Sequence, residues 1–305
     1  MRIVFFGTPE LAEKSLKRLY ASNKDVVAVF TQGDKPRNRG MKVSYTPVKE
    51  TALLHNTPVY QPDTLKEEDV IDTLKELNCD VIVVVAYGKI LPKEVLELPP
   101  LGCINIHTSI LPKYRGAAPI QWAILNGEHE TGVTSMYINE KMDEGDIIKI
   151  KTMPILPEDT SITLADKLGD LGAELLDETL TDIANGTTTR TPQDHSKATY
   201  AQKLSKEMSP IDWDKSAEHI INQIKGLQPW PVATMELSGK TLKVFSADIL
   251  DNQTSDKPGT VISCGKHGIE IACADKNILI KEVQASGSKR MSAEDYLRGN
   301  PYTHP

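Results

Sequence analysis

VIVVVAYGKILP, residues Val81–Pro92, begins with five consecutive β-branched apolar residues and then breaks at Gly88 and Pro92. A strand with one wet face alternates polar and apolar residues. An unbroken apolar run instead marks a strand covered on both faces, as in parallel sheets under helices. Cys103–Ile106 repeats the pattern, and Arg2–Phe6 and Val26–Phe30 are further strand-like runs. Between them, Pro9–Tyr20, Pro47–His55 and Lys66–Leu77 carry helical spacing, with Pro9 suited to a first helical position and Thr46 placed to cap the second helix. This alternation predicts βαβ units around a parallel core.

Downstream, Thr131–Ile138 and Asp146–Met153 read as two strands, and Thr160–Ala184 as a long amphipathic helix. Periodicity is then lost in a stretch rich in Thr, Pro, Asp and Ser, which reads as a linker over 187–206. Beyond it come a helix at Ser216–Lys225 and five short strands: Val232–Leu237, Thr241–Ala247, Gly259–Ser263, Ile269–Ala272 and Ile278–Val283. The expected fold is α/β, a Rossmann-like, mostly parallel sheet at 1–186, followed at 207–305 by an OB-like small β-barrel.

The 305 residues are 39% hydrophobic and 25% charged, enough apolar mass for buried cores. A formal charge of −7 gives no global attraction for nucleic acid, so such a partner must be held by a local patch. The longest apolar run, Val81–Ala86, is far short of a membrane span, and MRIVFF lacks the parts of a signal peptide; a soluble, cytoplasmic chain without a membrane partner is expected. The four cysteines form no C-x-x-C pair, so reduced thiols and no metal are expected. The first βα turn, FFGTP, has one glycine where dinucleotide sites have three, and no Walker A motif is present.

Chemistry concentrates in CINIHTSILPKYRGAAPI, Cys103–Ile120. Ligands of open α/β sheets bind beyond the carboxyl ends of the strands, and side chains two apart on a strand share a face. Asn105 and His107 therefore face one ligand, the amide as a neutral oxyanion donor and the imidazole as a proton exchanger. Asp143, in the turn MDEGD, would orient His107 if that turn folds over it. A basic run from Lys35 to Lys49, without an acid between, suits a loop reaching toward phosphates.

The pieces MRIVFFGTPE, VVAYGKILP, CINIHTSILPKYRGAAPIQWAI, MDEGD, KLSKE, IDW, PWP and MSAEDYLRG resemble the methionyl-tRNA formyltransferases over nearly the whole chain. The resemblance implies transfer of the formyl group of 10-formyltetrahydrofolate, a co-substrate, to the methionine of methionyl initiator tRNA. It implies a catalytic trio at Asn105, His107 and Asp143; the mechanism that fits has Asn105 and protonated His107 stabilising the oxyanion, Asp143 accepting the amine proton and orienting His107, and the folate nitrogen leaving after protonation. It implies folate contacts at Ala86, Tyr87, Gly88, Ile90, Leu91, Ser109, Ile110, Leu111 and Pro112, and tRNA contacts at Lys35, Arg37, Arg39 and Lys42. Thr108 and Gly33 depart from the pattern, where Gly and Pro are usual. A glycinamide ribonucleotide formyltransferase would need no second domain; an amino-sugar formyltransferase shares the two-domain plan but gives the basic run no polyanion to meet. A monomer is the working expectation, since nothing in the chain reads the assembly directly.

Overall fold

The Val81–Val85 run lies in the interior of a seven-stranded sheet in the computed structural model, which describes residues 1–37, 42–252 and 255–302. In chain order the elements are β1 (Arg2–Gly7), α1 (Glu10–Ala21), β2 (Asp25–Phe30), β3 (Lys35–Arg37), β4 (Lys42–Ser44), α2 (Pro47–Leu54), β5 (Val59–Tyr60), α3 (Glu68–Glu76), β6 (Val81–Val85), α4 (Lys93–Leu96) and β7 (Cys103–His107). There follow β8 (Arg115–Gly116), α5 (Pro119–Leu125), β9 (Glu130–Tyr137), β10 (Ile147–Pro154), α6 (Ser161–Ala184), β11 (Tyr200–Ala201), α7 (Ala217–Gly226), β12 (Ala233–Leu237), β13 (Lys240–Ile249), β14 (Val261–Gly265), β15 (Gly268–Ala272), β16 (Asn277–Ala285), β17 (Met291–Ser292) and α8 (Ala293–Gly299). The large sheet has the order β10-β9-β7-β6-β1-β2-β5, parallel from β7 to β5 and antiparallel at β9 and β10.

Both faces of this sheet are covered, as an unbroken apolar run requires. Val4, Phe6, Ile82, Val84 and Cys103 pack on one face with Val70 and Leu74 of α3 and Val95 of α4. On the other face Gly7 admits Ala12 of α1, where a Cβ would lie 2.8 Å from the alanine's, and Gly172 of α6 lets Ile106 approach. Pro9 is the N-cap of α1 and not its first residue, because its backbone is still extended (ψ 178°). Thr46 caps α2 as expected, its hydroxyl accepting from the Lys49 N–H at 3.2 Å.

The chain divides into two compact units. The first comprises Met1–Pro119, Glu130–Pro154 and Ala165–Ala201; the second takes Ile120–His129, Ile155–Leu164 and the chain from Gln202 onward. Residues 187–201 thus belong to the first unit: Thr191 bridges Ile147, and β11 pairs in parallel with β8. The linker expectation rested on lost periodicity, and two-residue pairings leave no periodic trace.

In the second unit an antiparallel sheet runs β12-β13-β16-β15-β14, with β17 also on β16. Ile220 and Ile224 of α7 and Ala293 and Tyr296 of α8 join its apolar face, which includes Leu242, Val244, Ile269 and Ile280. No ladder joins edge strands β12 and β14 among the described residues. Segments earlier in the chain complete the unit: Trp122 Nε1 donates to the Gln202 carbonyl at 2.8 Å, and Ser161 Oγ to the Gly226 carbonyl at 2.7 Å. Among the described residues, no helix is long and apolar enough to cross a membrane.

Candidate active site

β7 delivers Asn105 and His107 to the carboxyl rim of the large sheet, with Asn105 opposite Val84 on β6 and Met136 on β9. Asn105 is half-buried, and its amide makes no hydrogen bond to any described residue. His107 is 6% exposed. Its Nε2 lies 2.9 Å from the Tyr114 carbonyl oxygen. A carbonyl only accepts, so Nε2 carries a hydrogen and Nδ1 is the ring position left to exchange a proton. That nitrogen faces Asp143 Oδ2 at 3.7 Å. The turn does fold over the imidazole.

Asp143 Oδ2 also accepts from the Gly116 N–H at 2.8 Å. Three non-glycine residues at this rim hold left-handed backbones, Ala86 (φ 45°), Tyr114 (φ 59°) and Asp143 (φ 53°). Such conformations cost about 1–3 kcal/mol each and gather where the surrounding fold overrides local preference for function. Asp tolerates the left-handed region better than Ala or Tyr does. Gly145 closes the turn, since any Cβ there would collide with the Tyr137 carbonyl.

The turn is held by two residues that sequence reading left without a role. Gln193 Nε2 donates to the carbonyls of Asp143 (2.9 Å) and Gly145 (2.8 Å). Its Oε1 accepts from Arg115 Nε (3.1 Å) and Nη2 (2.8 Å). Arg115 is 1% exposed, and Glu144 Oε1, 3.2 Å from Nη1, supplies the counter-charge. His195 Nδ1 lies 3.2 Å from Nη2. An arginine between Tyr114 and Gly116, in the loop that follows the strand of Asn105 and His107, was a usable signal, because a buried guanidinium requires partners. Gln193, inside a stretch without periodicity, gave none.

The residues expected to contact folate divide in two. Ala86, Gly88 and Ile90 are exposed and Ile110 and Pro112 half-buried on the loops after β6 and β7, whereas Tyr87, Leu91, Ser109 and Leu111 are buried. The Tyr87 ring stacks edge-on against Phe6 at 5.0 Å, and burial pushes its phenol up to about 12. Its carbonyl accepts from Thr8 Oγ1 and Gln32 Nε2, bracing the loop. Ser109 Oγ donates to the Lys113 carbonyl at 2.7 Å, and the Ser109 carbonyl accepts from Thr134 Oγ1. These inward side chains brace the loops, and the outward ones leave their side chains at the surface. Cys103, two residues before Asn105, is excluded as a nucleophile: burial pushes its thiol up to about 12.

The basic run begins as a short hairpin, with Lys35 opposite Ser44 and Arg37 opposite Lys42. Arg39 lies outside the described residues. Lys49 departs from the expected basic surface: its Nζ bonds Asp34 Oδ2 (2.5 Å) and Gln61 Oε1 (2.7 Å). Asp34 immediately precedes the run, so it neutralises a charge read as part of that run.

The profile of the family described as Formyl transferase matches residues 1–180, and that of the Formyl transferase C-terminal domain matches 203–301. The chain is 48% identical to a methionyl-tRNA formyltransferase of Trichlorobacter lovleyi over 300 residues, covering 98% of this chain and 94% of that one. It is 48% identical to the methionyl-tRNA formyltransferase of Acetivibrio thermocellus, covering 98% and 97%. Among solved structures it is similar to the sugar 3N-formyl transferase WlaRD (TM-score 0.69, 20% identity, 95% and 99% covered). It is also similar to HypX from Aquifex aeolicus in complex with tetrahydrofolic acid (TM-score 0.66, 19% identity, 100% and 48% covered). At these identities the two structures speak for the fold alone.

Proposed function

The chain belongs to the methionyl-tRNA formyltransferase family, and on that premise we propose that it formylates the α-amino group of methionyl initiator tRNA through Asn105, His107 and Asp143. 10-Formyltetrahydrofolate supplies the formyl carbon. The observation that carries the assignment is the Asn105 amide, unpaired among the described residues, beside an imidazole whose Nε2 is held at the Tyr114 carbonyl.

Attack of an amine on a formyl carbon develops negative charge on oxygen and leaves a proton on nitrogen. Asn105 donates to the oxygen, and needs no rearrangement to do so because no described residue competes for its amide. His107 has a different part from the oxyanion donor expected of it. With Nε2 on a carbonyl, its free position is Nδ1, which takes the amine proton while the Asp143 carboxylate, 3.7 Å away, stabilises the imidazolium. Asp143 thereby orients the base and stabilises its protonated form; as the tetrahedral adduct collapses, the bond from the formyl carbon to the folate nitrogen breaks and that nitrogen leaves with the proton His107 returns. Ala86, Gly88, Ile90, Ile110 and Pro112 form the surface that meets the folate, with Tyr87, Leu91, Ser109 and Leu111 as its inner support. Lys35, Arg37, Arg39 and Lys42 meet phosphates of the tRNA, and the chain works as a monomer in the cytoplasm.

Asn105→Ala tests the site. The single-turnover rate is expected to fall roughly 10²–10³-fold, with the folate Kd unchanged. Equal loss of rate and folate affinity would place Asn105 in ground-state binding and remove the oxyanion assignment.

A further inference from the structure

We infer that Gln193 is a positioning residue for the reaction, holding Asp143 against His107 through the backbone of the 143–145 turn; the inference rests on Asp143 acting with His107 as proposed above. The amide of Gln193 is oriented without ambiguity. Arg115 can only donate, so the two guanidinium bonds fix Oε1 toward it and turn Nε2 toward carbonyls, which can only accept. Both of those carbonyls belong to the turn, those of Asp143 itself and of Gly145. The side chain is 6% exposed, so water does not substitute for it readily.

This anchor bears on a residue whose backbone needs one. Asp143 sits at φ 53°, and its carboxylate must reach the Gly116 N–H and the face of His107 at once. Arg115 and Gly116 are consecutive, so one short segment supplies the guanidinium that fixes Gln193 and the amide that receives Asp143. The turn is thus held by its backbone from one side and by its carboxylate from the other. Loosening the first hold lets the carboxylate move relative to Nδ1, where a displacement near 1 Å costs about 10²-fold in rate.

Two full-length variants separate this role from general support of the fold. Gln193→Glu keeps an acceptor for Arg115 and loses both donors to the turn; Gln193→Met keeps the size, adds no charge and loses every polar contact. The readouts are kcat, the KM for methionyl-tRNA, the folate Kd, and the Gly116 amide resonance in protein labelled with 15N-glycine, where 19 glycines give few signals. The expected result is a kcat lower by about 10- to 100-fold in both variants, KM and Kd unchanged, and the Gly116 proton moved upfield as its bond to the carboxylate weakens. A Gly116 resonance that stays in place in both variants overturns the inference, whatever happens to kcat. If it moves and kcat holds, Asp143→Asn in the same assay identifies the failure. Retained turnover in that variant removes the catalytic role of Asp143, and lost turnover removes the positioning role of Gln193.

Discussion

At Asn105 the amide has no partner among the described residues, while two residues on, His107 already has one nitrogen on a carbonyl and the other facing a carboxylate. The strand end made both residues legible, because side-chain alternation and the carboxyl-rim rule apply to any parallel sheet. The approach of Asp143 was legible only as a condition, since it depends on Gln193, fifty residues further along the chain. Asp143→Asn keeps the tolerance for a left-handed backbone and an acceptor for Gly116 but removes the charge. Turnover is expected to fall by about 10²-fold or more, with folate binding kept; unchanged turnover would take Asp143 out of the chemistry. Cys103 gives a second test. Burial raises all four thiols, Cys103 and Cys273 to about 12, and of the four only Cys264 is half-buried while the others are buried. With every thiol raised, access to the sulfur decides which reacts first. Iodoacetamide at about pH 8, near the ordinary thiol pKa, should therefore modify Cys264 first in the native protein, and mass spectrometry showing Cys103 modified first would contradict its burial.

The β3–β4 hairpin shows what charge reading alone misses at the scale of an element. Its strands are three residues each, too short for any alternation, so only the run of basic residues was visible. Its base is tied by Asp34, which binds Lys49 and Gln61, and Gln61 in turn donates to the Gln32 carbonyl. Burial raises the Asp34 carboxyl, but the bonds from Lys49 and Gln61 and the Lys49 charge outweigh it and hold the group below its ordinary 3.8. A carboxyl depressed in the native state stabilises the fold above its unfolded pKa, and that contribution disappears as pH falls through the lower native value. Asp34→Asn should accordingly destabilise the protein by roughly 1–3 kcal/mol near neutrality and by progressively less in acid. Urea unfolding at the two ends of that range checks it; a difference independent of pH would show that the charge is immaterial.

On the scale of the whole molecule, the two-part plan was readable from the change from βαβ to short antiparallel strands, but its seam was not. Ile120–His129 and Ile155–Leu164 belong with the C-terminal sheet although they interrupt the first unit in sequence. Gly226 illustrates why: a Cβ there would press within 2.8 Å of Leu125, a packing relation that no local pattern encodes. A fragment ending at Ala201 should therefore lose cooperative unfolding, because Trp122, Leu125 and Ser161 are stripped of partners; a sharp transition matching the full chain would contradict this division. The proposed tRNA contact of the basic hairpin belongs to the same scale, in a protein whose formal charge is −7. Removing Lys35 and Arg37 together should lower the slope of log affinity against log salt by about two for tRNA and leave folate affinity unchanged. The central claim is the identity of the acceptor, and it is tested by presenting methionyl initiator tRNA, methionyl elongator tRNA and an amino-sugar nucleotide with 10-formyltetrahydrofolate in parallel. Transfer strongly favouring the initiator tRNA is the predicted result; transfer to the sugar nucleotide alone would keep the fold and the trio and contradict the function.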